Sequence, residues 1–183
     1  MEQFVFTTER LGIRRFCPSD SEDFAEILTD PEVCHFEPSG VFPKEKALAE
    51  AAKLAKDERF FAVVLTENNK LIGKLYFKDM DYYGAYEIGY TFNRSYWGKG
   101  YALEAVRGMF GFAFEKMSVR RIIAEADIKN TRSIRLLERA GMRREGVFIQ
   151  SSAFRKDELG EPVFEDYASY AILKNEFNKE KAV

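Results

Sequence analysis

Two periods of hydrophobic recurrence alternate along the chain. From Arg10 to Phe16, after a short apolar start at Phe4 to Phe6, Leu11 and Ile13 alternate with polar neighbours, the period of two expected of a strand. Pro18, Ser19 and Asp20 form a helix-start signature ahead of Phe24, Ile27 and Leu28, which share one helical face, and Asp30-Pro31 closes that helix. A second helical stretch opens near Pro43 and carries Ala47, Leu48, Ala51 and Leu54. From Arg59 the period returns to two. Phe60 to Leu65 and Leu71 to Phe77 read as a hairpin around Glu67-Asn68-Asn69-Lys70, and Tyr82-Tyr83-Gly84 turns into a strand over Tyr86 to Phe92.

Helical spacing resumes from Tyr101 to Lys116 through Ala102, Ala105, Val106, Met109, Phe110 and Ala113. Gly108 and Gly111 oppose it, each costing about 1 kcal/mol relative to Ala in a helix interior. A strand over Arg121 to Ala126, a helix over Thr131 to Ala140 and strands over Val147 to Ser152 and Phe164 to Ile172 complete the pattern. The predicted order is β-α-α-β-β-β-α-β-α-β-β, with no repeat and no linker-like boundary. This is a mixed α/β domain whose sheet is antiparallel early and parallel where helices intervene.

Composition narrows the classes. At 183 residues the chain suits one domain that buries roughly two-thirds of its unfolded surface. Its 28 basic and 30 acidic residues give a net charge of −2 with the basic residues dispersed, so no nucleic-acid partner is indicated. Cys17 and Cys34 belong to no CxxC pair, which argues against a disulfide framework and a thiolate zinc site and for free thiols in a reducing compartment. No basic-then-apolar leader is visible, and no apolar run approaches the roughly 18 residues of a membrane span. A cytoplasmic location is expected.

The segment richest in chemistry is Asn93-Arg-Ser-Tyr-Trp-Gly-Lys-Gly-Tyr-Ala102. A strand runs into a turn bearing Gly98 and Gly100 and then directly into a helix. Glycine lets main-chain N–H groups turn inward, and the helix N-terminus adds partial positive charge, together making a site for phosphate or diphosphate. Lys99 would add a charge or point to solvent. The alternatives are a tight turn using glycine for geometry alone and a Rossmann loop. The Rossmann loop fits poorly, because Leu103 holds the third glycine position and the unit begins mid-chain after a hairpin. A Walker loop fails for want of Gly-Lys-Ser/Thr.

The run Tyr-Trp-Gly-Lys-Gly-Tyr-Ala-Leu-Glu-Ala resembles the acyl-CoA loop of the GNAT N-acetyltransferases, in particular the RimJ/RimL-type protein acetyltransferases. Glu87-Ile-Gly-Tyr90 upstream and Asn130-Thr-Arg-Ser-Ile-Arg-Leu-Leu-Glu-Arg-Ala-Gly-Met142 downstream resemble that group's companion motifs. Thr8-Glu-Arg-Leu-Gly-Ile-Arg14 is similar to its start, so the resemblance spans about residues 7–173 of a single 1–183 domain. It implies a GNAT-like fold with a central, splayed, mostly antiparallel mixed sheet flanked by helices. The implied activity is transfer of an acetyl group from acetyl-CoA directly to a primary amine, with no covalent enzyme intermediate and no metal.

Residue by residue, the resemblance implies that main-chain groups at Tyr90, Thr91 and Phe92 hold the pantetheine and polarise the thioester. It also implies that the amides of Gly98, Lys99, Gly100, Tyr101 and Ala102 hold the diphosphate, with Trp97 beside them in the cofactor site, and that Asn130 bonds the cofactor near its amide or thiol end. Arg135, Lys129 and the arginines at 120–121 and 143–144 are candidates for the 3′-phosphate. Glu87 is the candidate general base, directly or through a water, against the alternative of a solvated or amine-orienting carboxylate. Many family members carry a tyrosine, at the position of Leu137, to protonate the leaving thiolate. Leucine cannot, and Ser133 is the substitute, unless it only bonds the helix backbone.

Other residues are expected to be structural. His35 is a loop residue near the substrate mouth rather than a metal ligand, Trp97 and Tyr101 pack the turn rather than stack on adenine, and Tyr82, Tyr83 and Tyr86 are sheet aromatics or, alternatively, line the amine pocket. The expected acceptor is a protein N-terminal α-amine, as in RimJ/RimL-type enzymes. The alternative is a small amine such as a polyamine, aminoglycoside or amino acid, and the rival from another class is a non-catalytic acyl-CoA-binding module. The family analogy admits a homodimer.

Overall fold

A computed structural model describes residues 3–181. One eight-stranded sheet organises them, in the order β1-β2-β3-β4-β5-β6-β8-β7. The strands are β1 (Phe6–Thr7), β2 (Leu11–Arg14), β3 (Phe60–Leu65), β4 (Leu71–Asp79), β5 (Ala85–Phe92), β6 (Arg121–Asp127), β7 (Arg143–Lys156) and β8 (Pro162–Leu173). The helices are α1 (Ser21–Leu28), α2 (Pro31–Cys34), α3 (Lys44–Leu54), α4 (Tyr101–Lys116), α5 (Thr131–Arg139) and α6 (Lys174–Lys181). The mixed, mostly antiparallel sheet is the expected one. Its single parallel pairing is β5 with β6, where α4 makes the crossover.

Period-two alternation sends side chains to two helical layers. On one face Ile13, Val63, Leu75, Ile88, Ile122, Ala124 and Tyr170 pack with Val106, Met109, Phe110 and Phe114 of α4, Leu137 of α5 and Phe177 of α6. On the other, Ala62, Val64 and Leu71 pack with Phe24, Ile27 and Leu28 of α1 and Ala47 and Ala51 of α3. Arg14, 2% exposed, closes the second layer by donating to both carboxylate oxygens of Asp20, 4% exposed, at 2.7 and 2.8 Å. Such a buried pair ties β2 to the 3-10 turn (Pro18–Asp20) ahead of α1, and losing one partner would leave a buried charge uncompensated.

Several elements differ from the sequence expectation. Asp30-Pro31 does not merely close α1: Asp30 accepts from the Glu32 N–H as the N-cap of α2, with Pro31 at its first position. β7 runs from 143 to 156 rather than 147 to 152 and is exposed along most of its length, so no alternation marks it. α6 follows β8 without a break and buries Phe177. Gly108 has a packing reason, since a Cβ there would lie 2.7 Å from Thr8 Cγ2 and 3.1 Å from Phe6 Cε2. Neither Cys17 nor Cys34 is in a disulfide. Among the described residues no helix is long and apolar enough to cross a membrane.

Candidate active site

The parallel pairing of β5 with β6 stops early. It joins Ala85 to Arg121, Tyr86 to Ile122 and Glu87 to Ile123, and no pair joins Ile88–Phe92 to the rest of β6. Each strand stays paired on its other side, β5 with β4 as far as Phe92 and β6 with β8 as far as Asp127. The sheet is therefore split down its middle. The hydrogen bonds Asn93 N–H to Ile72 and Met80 N–H to Ala85 fix which way each peptide of β5 faces. Odd-numbered residues bond β4, so the main-chain groups of Ile88, Tyr90 and Phe92 face the split. Thr91 faces the other way, its main chain toward β4 and its hydroxyl donating to Glu37 at 2.8 Å.

Both strands of the split lead into helices, so two helix N-termini meet beyond the carboxyl ends of neighbouring parallel strands. That is where open α/β sheets bind ligands. The residues between β5 and α4 fold tightly. Asn93 accepts from the Ser95 N–H, and the Trp97 indole N–H donates 2.8 Å to the Phe92 carbonyl. The Arg132 guanidinium, in the first turn of α5, lies 3.8 Å over the Trp97 ring and joins the two helix starts. Trp97 thus packs the turn, and its main-chain N–H donates to the Arg94 carbonyl at 3.1 Å.

Gly98 and Gly100 have φ of +74° and +85°, the left-handed region that side chains disfavour. Gly100 is the N-cap of α4. Among the described residues, no main-chain N–H from Gly98 to Leu103 has a hydrogen-bond partner; the first closed bond of the helix is Glu104 N–H to the Gly100 carbonyl. Gly98, Lys99 and Gly100 are exposed, so these amides stand open at the positive end of a 16-residue helix. Lys99 sends its Nζ over the Tyr96 ring at 5.3 Å.

At the mouth of α5, Asn130 spends its Oδ1 as a helix cap, accepting from the Ser133 N–H at 3.0 Å. Ser133 Oγ lies 2.8 Å from the Tyr90 hydroxyl, which also donates to the Ser133 carbonyl at 3.3 Å. Burial pushes the Tyr90 phenol far above its ordinary value, with the Ser133 hydrogen bond opposing, so it stays protonated. The Tyr90 side chain was not anticipated, because the motif points to its main chain. Arg135 is exposed on α5.

Glu87 sits on the last paired row before the split, half-buried, on the face away from α4. Burial pushes its carboxyl above the ordinary value, the nearby Glu125 charge adds to this, and Lys78 opposes it. Tyr76 shares that face, its phenol raised by burial and by the Glu87 charge. Higher on the same face Lys74 pairs with Glu37 at 3.3 Å. No group of three or more acidic, His or Cys side chains among the described residues is arranged to hold a metal, and His35 stacks edge-on with Phe36 at 4.5 Å.

Residues 10–143 match the family model described as an acetyltransferase (GNAT) domain. The chain is 38% identical over 175 residues to the uncharacterized N-acetyltransferase YnaD of Bacillus subtilis (strain 168), covering 94% of this chain and 98% of that protein. A solved GNAT-family acetyltransferase from Bacillus anthracis is 36% identical, with a TM-score of 0.81 over 94% of this chain and 99% of that one. A GCN5-related N-acetyltransferase from Brucella melitensis, 20% identical, shares the fold with a TM-score of 0.85 over 100% of this chain and 83% of that one.

Proposed function

The chain belongs to the GNAT acetyltransferase family, and from that premise we propose that it carries an acetyl group from acetyl-CoA to a primary amine inside the split of its sheet. The observation that supports this most is the run of free amides from Gly98 to Leu103, which suits a diphosphate. A pantetheine arm threaded between β5 and β6 would bond the main-chain groups of Ile88, Tyr90 and Phe92 that face the split. The thioester would then lie near Glu87, and the amide nitrogen of Asn130 is the group its cap leaves for the cofactor.

The chemistry follows from the placement. The amine must be neutral to attack, and Glu87, ionised above its raised pKa, takes the proton directly or through a water. The N–C bond forms, the C–S bond breaks, and the departing thiolate takes a proton relayed through the Tyr90–Ser133 hydroxyl pair, which is refilled from solvent as it gives one up. A phenol from β5 thus stands in for the one missing at Leu137. If the two hydroxyls act as a unit, Tyr90→Phe and Ser133→Ala each lower kcat about 3- to 10-fold, and the double variant falls no further than the worse single one. Steady-state rates of thiol release check this, and fully additive losses would separate the two groups.

The acceptor enters from the face carrying Glu87, Glu125 and Tyr76. Our first reading is a protein N-terminal α-amine, as in the RimJ/RimL-type enzymes this sequence resembles. The second carboxylate, Glu125, close enough to raise the Glu87 pKa, favours as an alternative a small amine bearing another positive charge. Thiol release from acetyl-CoA, with short peptides and with diamines as acceptors, decides between them. Binding without release on any amine would favour a non-catalytic acyl-CoA-binding module instead.

A further inference from the structure

The N-terminal motif Thr8-Glu-Arg10 has no part in the mechanism above, yet it is clasped to the glycine loop across the whole first half of the fold. Glu104, in the first turn of α4, accepts from the Thr8 hydroxyl at 2.6 Å, the Arg10 N–H at 2.8 Å and Arg10 Nε at 2.7 Å. Arg10 Nη2 pairs with the same carboxylate at 2.6 Å. The other arm of the fork, Nη1, donates 3.1 Å to the Lys99 carbonyl, and the guanidinium lies 4.3 Å over the Tyr101 ring. The main chain of Arg10 is itself fixed, its carbonyl accepting from the Thr66 N–H at 3.0 Å.

We propose that Arg10 is the positioning residue of the acyl-CoA loop: by holding the Lys99 carbonyl outward it aims the Gly100 N–H at the diphosphate. In a trans peptide the C=O of one residue and the N–H of the next point in opposite directions, so fixing the one orients the other. This is the peptide most in need of fixing. It joins a lysine to a left-handed glycine, which lacks the Cβ that elsewhere restricts rotation of the peptide plane. Arg10 also neutralises Glu104, whose carboxylate would otherwise oppose an anion at the same helix end. Burial alone would push that carboxyl up, but the bonds from Thr8 and Arg10 hold it below its ordinary value.

The inference rests on the proposed diphosphate site, and two acyl donors separate the two ideas. Arg10→Ala is expected to weaken CoA binding and raise KM for acetyl-CoA about 5-fold, with kcat at saturation nearly unchanged. Its kcat/KM for S-acetylpantetheine, which lacks the diphosphate, is expected to match wild type. Adding Glu104→Gln should not restore CoA affinity, because the carbonyl clamp is still missing. Wild-type affinity in Arg10→Ala, an equal loss with both donors, or full restoration by Glu104→Gln would each overturn the proposal. Should Arg10→Ala fail to fold, Arg10→Lys keeps a cation against Glu104 without the fork. It should show the same selective loss, and wild-type affinity there would be equally fatal. A wild-type protein that does not bind CoA at all would instead refute the diphosphate site.

Discussion

Gly100→Glu is expected to weaken CoA binding by about 10- to 100-fold, measured by titration calorimetry. Three effects add. A residue with a side chain at φ +85° is held in the left-handed region, which costs roughly 1–2 kcal/mol and distorts a loop that must be preformed. The added Cβ would lie 3.3 Å from Arg10 Nη2, tight enough to disturb the Arg10 contacts with Glu104 and Lys99. The new carboxylate would face the diphosphate, a repulsion between about 1 kcal/mol in water and 4 kcal/mol at a protein surface for charges 4 Å apart. The fold should survive, because Gly100 is exposed. Unchanged affinity would mean that the amides from Gly98 to Leu103 do not hold the cofactor.

Glu87→Gln is expected to lower kcat about 100-fold while leaving CoA affinity nearly intact, in keeping with the loss of a general base. The pH profile carries the sharper signature. Burial first, and Glu125 second, raise the Glu87 pKa above its ordinary 4.5, so the catalytic carboxylate is lost as pH falls through that raised value. Wild type should therefore show an acidic limb that the glutamine variant lacks. The difference between them should be largest above the raised pKa and shrink below it, where both side chains are neutral. If Glu87 merely orients the amine, KM for the acceptor should rise instead, with kcat and the acidic limb retained.

What was legible in the sequence was local. The glycine pair between a strand and a helix and the alternation of β3 to β5 are both written within a few residues of where they act. The split was not readable from pattern, because β5 and β6 keep their period of two through it; only their pairing stops, at Glu87 and Ile123. The Arg10–Glu104 clasp joins residues 94 apart in sequence, and neither type announces the other. Tyr90 read as a main-chain donor, and only the packing of β5 against α5 brings its hydroxyl to Ser133. β7 was legible only over its middle, 147 to 152, for a plainer reason: an exposed strand need not alternate, and Gln150 at φ +47° interrupts it. α6 carries the buried Phe177 in a sequence rich in charges, too little for a helical stripe.

The central claim is that the open amides at the start of α4 are a diphosphate cradle serving a split sheet, and one titration tests it most directly. Purified protein is titrated with CoA and, in parallel, with pantetheine, which has the arm but not the diphosphate. Saturable micromolar binding of CoA at one site per chain, with pantetheine bound far more weakly, is the expected result. Equal affinity for the two, or no binding of CoA, would contradict it and leave Gly98 and Gly100 as the makings of a turn.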